Sequence, residues 1–330
     1  MAYDVYAVGN ALVDLEFQVT DQQLEDLGIA KARMTLMDAQ ERLKLLHRLG
    51  EQTPRRTGGG SAGNTVVALQ QLGGEAYFSC RVADDAFGRF YAEDLKAHGV
   101  HSNVHTARHA GHTGTCLVMI TPDAERTMST HLGVSADLSP TELNELAIDA
   151  SRTYYMEGYL AASPTGLQAA LQGRSVAQRC SAQLALTLSD VSMINFCRSG
   201  LEAMLGDGVD VLFANEDEIK AWFNTDDLAV ALSAAPALAQ TVCVTVGAKG
   251  CVVLEGNRRF EVAAPSVQAV DTNGAGDMFA GAFLYARSRN ADSVRAAQLA
   301  TRAASAVVAQ AGNRLPSATL QALRDAWQVQ

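Results

Sequence analysis

The stretch Asp271-Thr-Asn-Gly-Ala-Gly-Asp277-Met-Phe-Ala-Gly-Ala-Phe-Leu284 holds the residue types best suited to chemistry. Val267–Val270 just before it is apolar and reads as a strand. After Gly276 the residues are small or apolar, which reads as a helix buried on most sides. Glycines therefore fall at the join between a strand and a helix N-terminus. The first N–H groups of a helix lack backbone partners and its dipole is positive there, so such a join binds anions, phosphates above all. Asp277 falls in the first turn, beside that site. A carboxylate so placed accepts the proton of a hydroxyl as the hydroxyl attacks a phosphoryl group. A tight turn followed by a dipole-complementing acid explains either half alone. The two glycines, the acid and the small-residue helix together favour the anion site.

Three further segments carry polar groups at element ends. Gly58-Gly-Gly-Ser-Ala-Gly-Asn64 precedes a helix expected over Ala62–Leu72, and glycine there lets a ligand approach the backbone closely. Asn215-Glu-Asp-Glu218 follows an apolar strand, Val209–Phe213, and reads as a helix start with Asn215 as N-cap and Glu218 three residues on. Thr245-Val-Gly-Ala-Lys-Gly250 reads as a hairpin turn. It is not a Walker loop, since no Ser or Thr follows Lys249. Five histidines, His98, His101, His105, His109 and His112, have spacings of three and four that would line one helical face and suit a metal. Gly99, Gly111 and the following strand break such a helix, so a metal site is not expected.

The elements that must position these groups show two textures. From Thr141 onward strands and helices alternate: Thr153–Met156 then Gly166–Arg179, Gln183–Leu188 then Met193–Leu205, Val209–Phe213 then Glu216–Phe223, and then Thr241–Val246. With the strands Val5–Val8 and Ala76–Val82 and the helix Gly88–His98, this implies a parallel sheet covered on both faces. Two patches interrupt it. Val13, Leu15, Phe17 and Val19 alternate with Asp14, Glu16 and Gln18, a half-exposed strand, with Ala32–Met37 as its expected partner. Thr115–Ile120 and Arg126–Thr130 flank a Pro122-Asp123 turn and read as a hairpin. The expectation is a large α/β domain over 1–11, 39–104 and 131–330, and a discontinuous β lid over 12–38 and 105–130.

The 330 residues include 36 acidic and 26 basic ones, a formal charge of −10. That balance argues against a nucleic-acid partner, which needs a basic footprint. No apolar run reaches the ~18 residues of a membrane span, and the N-terminus lacks the basic start of a signal peptide, so a cytoplasmic protein without a membrane partner is expected. Cys80, Cys116, Cys243 and Cys251 sit in apolar strand-like runs and read as buried hydrophobes in a reducing compartment. Gly9 is followed by Asn10 and Ala11, so the dinucleotide fingerprint of an oxidoreductase is missing. Monomer and homodimer are both left open.

The Asp271–Leu284 pattern resembles the C-terminal signature of the ribokinase-like (PfkB) carbohydrate kinases, and the resemblance runs from Val5 to about Gly312. It implies a three-layer α/β/α domain with a mostly parallel central sheet and a small β-sheet lid. It implies transfer of the γ-phosphoryl group of ATP-Mg²⁺ to a hydroxyl of a small substrate held under the lid. Carried over residue by residue, Gly274, Ala275 and Gly276 form the anion hole, Asn273 adjoins the nucleotide and Asp277 is the base. Gly59, Gly60, Asn64 and Asp14 hold substrate hydroxyls. Asn215 and Glu218 organise phosphate and Mg²⁺, the latter through water. Thr245, Gly247 and Gly250 lie beside the nucleotide, Arg126 reaches the phosphates, and a K⁺ ion is suggested near Asp271. The GGSxxN form, with Val66 where a small residue is usual, Thr113-Gly-Thr-Cys116 and Asp271-Thr-Asn-Gly resemble the adenosine-kinase-like branch. That branch places a base-stacking aromatic shortly after a Leu-Ser pair, whereas here Ser192 follows Leu188-Ser189. Phe196, Tyr154, Tyr155 and Tyr159 are the candidate substitutes. A nucleoside such as adenosine, phosphorylated at its 5′-hydroxyl, is the expected acceptor, with a sugar of the ribokinase or fructokinase type as alternative. A nucleotide-binding regulator without catalysis is argued against by Asp277 and the intact glycine loop.

Overall fold

The computed structural model describes residues 2–31, 34–50, 52–123 and 125–329. Its strands are β1 (Tyr3–Val8), β2 (Leu12–Gln18), β3 (Met34–Leu36), β4 (Arg55–Gly59), β5 (Ala76–Ser79), β6 (His101–Ser102), β7 (Gly114–Ile120), β8 (Arg126–His131), β9 (Ser151–Glu157), β10 (Gln183–Thr187), β11 (Val209–Asn215), β12 (Ala239–Thr245), β13 (Cys251–Glu255) and β14 (Arg258–Val262). They form a nine-stranded sheet in the order β14-β13-β12-β11-β10-β9-β1-β5-β6 and a five-stranded sheet in the order β3-β8-β7-β2-β4. In the large sheet every pair from β6 to β12 is parallel, and β13 and β14 are added antiparallel.

The large strands read as continuous apolar runs because both faces are buried, and successive side chains enter different cores. Val5 and Ala7, Tyr155, Ala185, Val211 and Phe213, and Cys243 join one core with the helices Ser61–Gln71, Ala275–Ser288 and Ser293–Val308. Tyr6 and Val8, Tyr154 and Met156, Leu184 and Leu186, Leu212 and Ala214, and Val242 and Val244 join the other, with the helices Pro164–Arg179 and Val191–Leu205. This is the three-layer ribokinase-like architecture expected. The four cysteines read as buried hydrophobes are buried free thiols. Among the described residues no helix is long and apolar enough to cross a membrane.

The small sheet differs from the sequence reading in its pairing. β2 lies between β7, parallel, and β4, antiparallel. The expected partner segment, Ala32–Met37, contributes β3 instead to β8; Ala32 and Arg33 lie outside the described residues. A helix at Asp21–Leu27, closed by a capping box at Thr20, separates β2 from β3 and moves the chain across the sheet. β4 also belongs to this sheet, so the stretch 39–104 assigned to the large domain gives one strand to the small one. The β7–β8 hairpin forms as expected. Val267–Val270 is not a strand. It has no regular structure and bends at Val270, Val267 and Val270 are exposed, and the Val270 and Asp271 N–H groups donate to the Val308 carbonyl.

Candidate active site

The chain passes from β1 outward through β5 and β6, then returns to build β9 to β14 on the other side of β1. Strand order reverses between β1 and β9, and ligands of open α/β sheets bind in the crevice at such a point, beyond the strands' C-terminal ends. Asn10 follows β1, Glu157 ends β9, Ser189 follows β10 and Asn215 ends β11, so four polar side chains converge there.

Two cavities meet at this crevice. One, about 470 Å³, is lined by Thr187, Asn215, Glu218, Thr245 and Gly247 on its outer side. The other, about 360 Å³, lies towards the small sheet against Asn10, Asp14, Gly60, Asn64, Glu157 and Asn313. Gly276 and Asp277 line both. Gly274, at φ +74°, is the N-cap of Ala275–Ser288, so the first amides of this helix face the junction. The Asp277 carboxylate is oriented by two donors, Ser61 Oγ at 2.6 Å from Oδ1 and Asn64 Nδ2 at 3.0 Å from Oδ2. Burial raises its pKa, while those donors and the Arg314 charge oppose the rise.

The expected substrate residues gather in the inner cavity. Val13, Leu15 and Phe17 of β2 enter the core, which turns Asp14 towards the cavity rather than to solvent. Its carboxylate is pushed up to about 7 by burial, with Glu16 and Asp277 adding to the rise and Arg314 and Arg126 opposing it. Gly60 lines the cavity, whereas Gly59 packs behind Asp14 and its carbonyl accepts from Tyr91 Oη. In the outer cavity Asn215 caps its helix as expected, with a full capping box to Glu218, and both side chains still face the cleft. Glu218 is pushed up to about 7 by burial and by the charges of Asp190, Asp217 and Asp277.

Three expected residues lie elsewhere. Gly250 closes the β12–β13 turn, at φ +104°. Asp271 is buried under the glycine loop, and Arg126 points to Asp271 and Glu16. Of the four candidate aromatics only Tyr159 lines the inner cavity; Tyr154 and Tyr155 are core residues, and Phe196 is 84% exposed. His98 bonds to the Asp94 carbonyl, His105 to the Val100 carbonyl, and His109 pairs with Glu142, so these three histidines point to separate partners.

The sequence reading missed Glu157, Ser61, Asn313 and Arg314. Glu157 accepts from the Asn10 N–H and Nδ2 and from the Ala62 N–H, which ties β1, β9 and the Gly58–Asn64 loop together. Burial pushes it up to about 7 despite these donors. Asn313 Nδ2 donates to Asp14 at 3.1 Å, and Arg314 Nε donates to Asn64 Oδ1 at 3.1 Å while its Nη1 pairs with Asp94 at 2.5 Å. Arg314 thereby turns the Asn64 amide so that its Nδ2 faces Asp277. The polar position of Ser61 at the start of a helix was the one available signal; the other three lack any local pattern.

A glycine-lined helix N-terminus, a held carboxylate in front of it and a cavity on each side form an arrangement for passing a group between two ligands. The model of the pfkB family carbohydrate kinases matches residues 28–320. The chain belongs to the pfkB carbohydrate kinase family. As a pfkB kinase it is a phosphotransferase with an alcohol group as acceptor, and membership implies ATP and Mg²⁺. Among its relatives, the adenosine kinase of Schizophyllum commune is 30% identical over 315 residues, covering 86% of this chain and 89% of that one. The adenosine kinase of Sinorhizobium meliloti superposes with a TM-score of 0.91 at 34% identity, covering 100% of both chains. A probable sugar kinase from Rhizobium etli CFN 42 superposes equally well, TM-score 0.91 at 34% identity over 99% of this chain and 98% of that one. These pfkB relatives include both nucleoside and sugar kinases, so the acceptor must be argued from the cavity.

Proposed function

We propose that this pfkB kinase transfers the γ-phosphoryl group of ATP to the 5′-hydroxyl of a nucleoside, adenosine first among them. The observation that carries the choice is the lining of the inner cavity. Past Asp14, Asn64 and Glu157, which suit sugar hydroxyls, it continues against Leu12, Met34, Leu36, Met128, Leu132 and Met193. A free sugar has no group to fill an apolar extension. A nucleobase does, and polarizable methionines pack against aromatic rings without a fixed geometry. This lining supplies what the missing aromatic near Ser192 would have supplied.

In this reading ATP occupies the outer cavity, with its phosphates at the N-terminus of Ala275–Ser288, whereas Asn273, expected beside the nucleotide, lines the inner cavity. Asn215, Thr245 and Gly247 flank it. Asp190, Asp217 and Asp277 raise the proton affinity of the buried Glu218, and a divalent cation held beside it would offset that negative charge. Glu218, held by Asn215, is the residue to position that Mg²⁺ through water; the ion supplies neutralisation of the phosphoryl oxygens. Asp277 accepts the hydroxyl proton, and the helix N–H groups stabilise charge on the transferred group. The small sheet, β4 included, covers the acceptor and excludes water as a competing nucleophile. The K⁺ expected near Asp271 has no part in this reading, because Asp271 is already paired with Arg126.

The test is ADP release with ATP-Mg²⁺ across adenosine, inosine, guanosine, cytidine, ribose and fructose. Adenosine is expected to exceed ribose in kcat/KM by about 100-fold or more, since one methylene alone is worth about 10-fold. Turnover confined to free sugars would overturn the nucleoside assignment in favour of the sugar-kinase alternative. Asp14→Ala is expected to raise the acceptor KM by about 10- to 100-fold, the worth of a hydrogen bond to a charged group, with a smaller change in kcat. An unchanged KM would remove Asp14 from the acceptor site.

A further inference from the structure

The resemblance to the family places a monovalent cation beside Asp271, but the residues here do not fit one. The Asp271 side chain is 4% exposed. Its Oδ1 accepts from the Asn273 N–H at 3.0 Å, its Oδ2 accepts from the Gly312 N–H at 2.7 Å, and Arg126 Nη2 forms an ion pair with that Oδ2 at 2.5 Å. The Val308 carbonyl beside it already accepts two N–H groups, from Val270 and Asp271. Arg126 is itself 11% exposed, and its Nη1 lies 3.6 Å from Glu16 Oε1. The buried negative charge that would attract a cation is therefore neutralised by a guanidinium. A second cation would meet that guanidinium, and it would have to give up its hydration for a carboxylate with little capacity left.

We propose that Arg126 is the resident cation of the glycine loop, so that catalysis by this chain does not depend on K⁺. The inference rests on the kinase reading for its activity readout, and on geometry alone for its binding readout. Asp271 shapes the loop through Asn273 and Gly312, and burying a carboxylate is costly unless an opposite charge is paired with it. Arg126 does this from the first residue of β8 in the small sheet. The neutralising charge is thus carried by the same sheet that covers the acceptor, and the order of the anion-binding loop is linked to the position of that sheet. A guanidinium suits the task because it stays charged when buried and its two terminal nitrogens can face two carboxylates, here Asp271 and Glu16.

The experiment compares 100 mM KCl with 100 mM choline chloride on the full chain, reading kcat and, separately, the melting temperature without substrates. Wild type is expected to change kcat by less than twofold and to show no K⁺-specific rise in melting temperature. Arg126→Gln leaves Asp271 buried beside a neutral amide, so K⁺ is expected to raise its melting temperature and its residual turnover over the choline control. Arg126→Lys, which restores the charge, is expected to lose that K⁺ response. A tenfold K⁺ activation or a K⁺-specific stabilisation of wild type would overturn the proposal, even if the glutamine variant fails to fold. So would a folded Arg126→Gln indifferent to K⁺. Absence of turnover with every acceptor in both salts would sink the kinase reading instead, and the melting temperatures would still decide the inference.

Discussion

Asp277→Asn is expected to lower kcat by about 1,000-fold or more while leaving ATP-Mg²⁺ binding within a few-fold of wild type. Positioned general bases are worth about 100- to 10,000-fold, and here the group also stands where both cavities meet. Ser61 and Asn64 fix the carboxylate from one side, which leaves its remaining lone pairs for a hydroxyl entering from the inner cavity. The asparagine keeps the shape and one acceptor oxygen. It takes up no proton, and its NH₂ faces either the Asn64 NH₂ or the Ser61 hydroxyl, which would then have to accept. Burial raises the Asp277 pKa above the ordinary carboxylate range. The base must be ionised to act, so wild-type kcat should fall as pH drops through that raised value, at a higher pH than a solvated aspartate would give. Asp14 and Glu157, both pushed up to about 7, add their own protonation to the same limb. The check is kcat and nucleotide affinity measured side by side over pH 5 to 9. A variant within tenfold of wild type would refute Asp277 as the base.

Much of this site was legible because its parts are local. The Asp271–Asp277 segment carries the glycines, the turn and the acid within seven residues, so a candidate anion site could be read there without knowing the fold. The strand–helix alternation fixed the class for the same reason. What was not legible depends on partners distant in the chain. Arg55–Gly59 has neither alternation nor β-branched residues apart from Thr57, and becomes a strand only because β2 offers it an edge. Val267–Val270 has strand-like composition but pairs with no strand, and its end is bonded to a helix-terminal carbonyl. The alternation of β2 shows only that Asp14 is on its polar face, and its expected place at the substrate came from the resemblance; the cavity it faces is formed by residues distant in the chain. Glu157 and Arg314 act through contacts 95 and 250 residues away in sequence, and no periodicity announces such contacts. Arg126 was expected to reach the phosphates, but it pairs with Asp271, which comes from the far end of the chain.

The two glycines of the anion loop should fail differently, and the difference tests whether the loop binds phosphate. Gly276 has helical backbone, and a Cβ built on it meets nothing within 4 Å. The space it would fill is the junction of the two cavities. Gly276→Val is therefore expected to keep the melting temperature close to wild type, the helix-propensity difference between valine and glycine being under ~1 kcal/mol. The isopropyl group would stand where the transferred phosphoryl group must pass, and turnover should fall by about 100-fold or more, as when one anion-hole donor is lost. Gly274 contrasts with it. Its φ is +74°, and a Cβ there would lie 2.8 Å from the Asn313 carbonyl oxygen. Gly274→Ala should lower the melting temperature as well as turnover, because strain at a left-handed position adds to a collision with backbone. It should also disturb Asn313, which donates to Asp14, so the acceptor KM should rise with it. Paired measurements of melting temperature, kcat and both KM values on the two variants separate the cases. If Gly276→Val retained wild-type turnover, the phosphoryl group would not pass the N-terminus of Ala275–Ser288, and the anion site on which the whole assignment is built would have to be sought elsewhere.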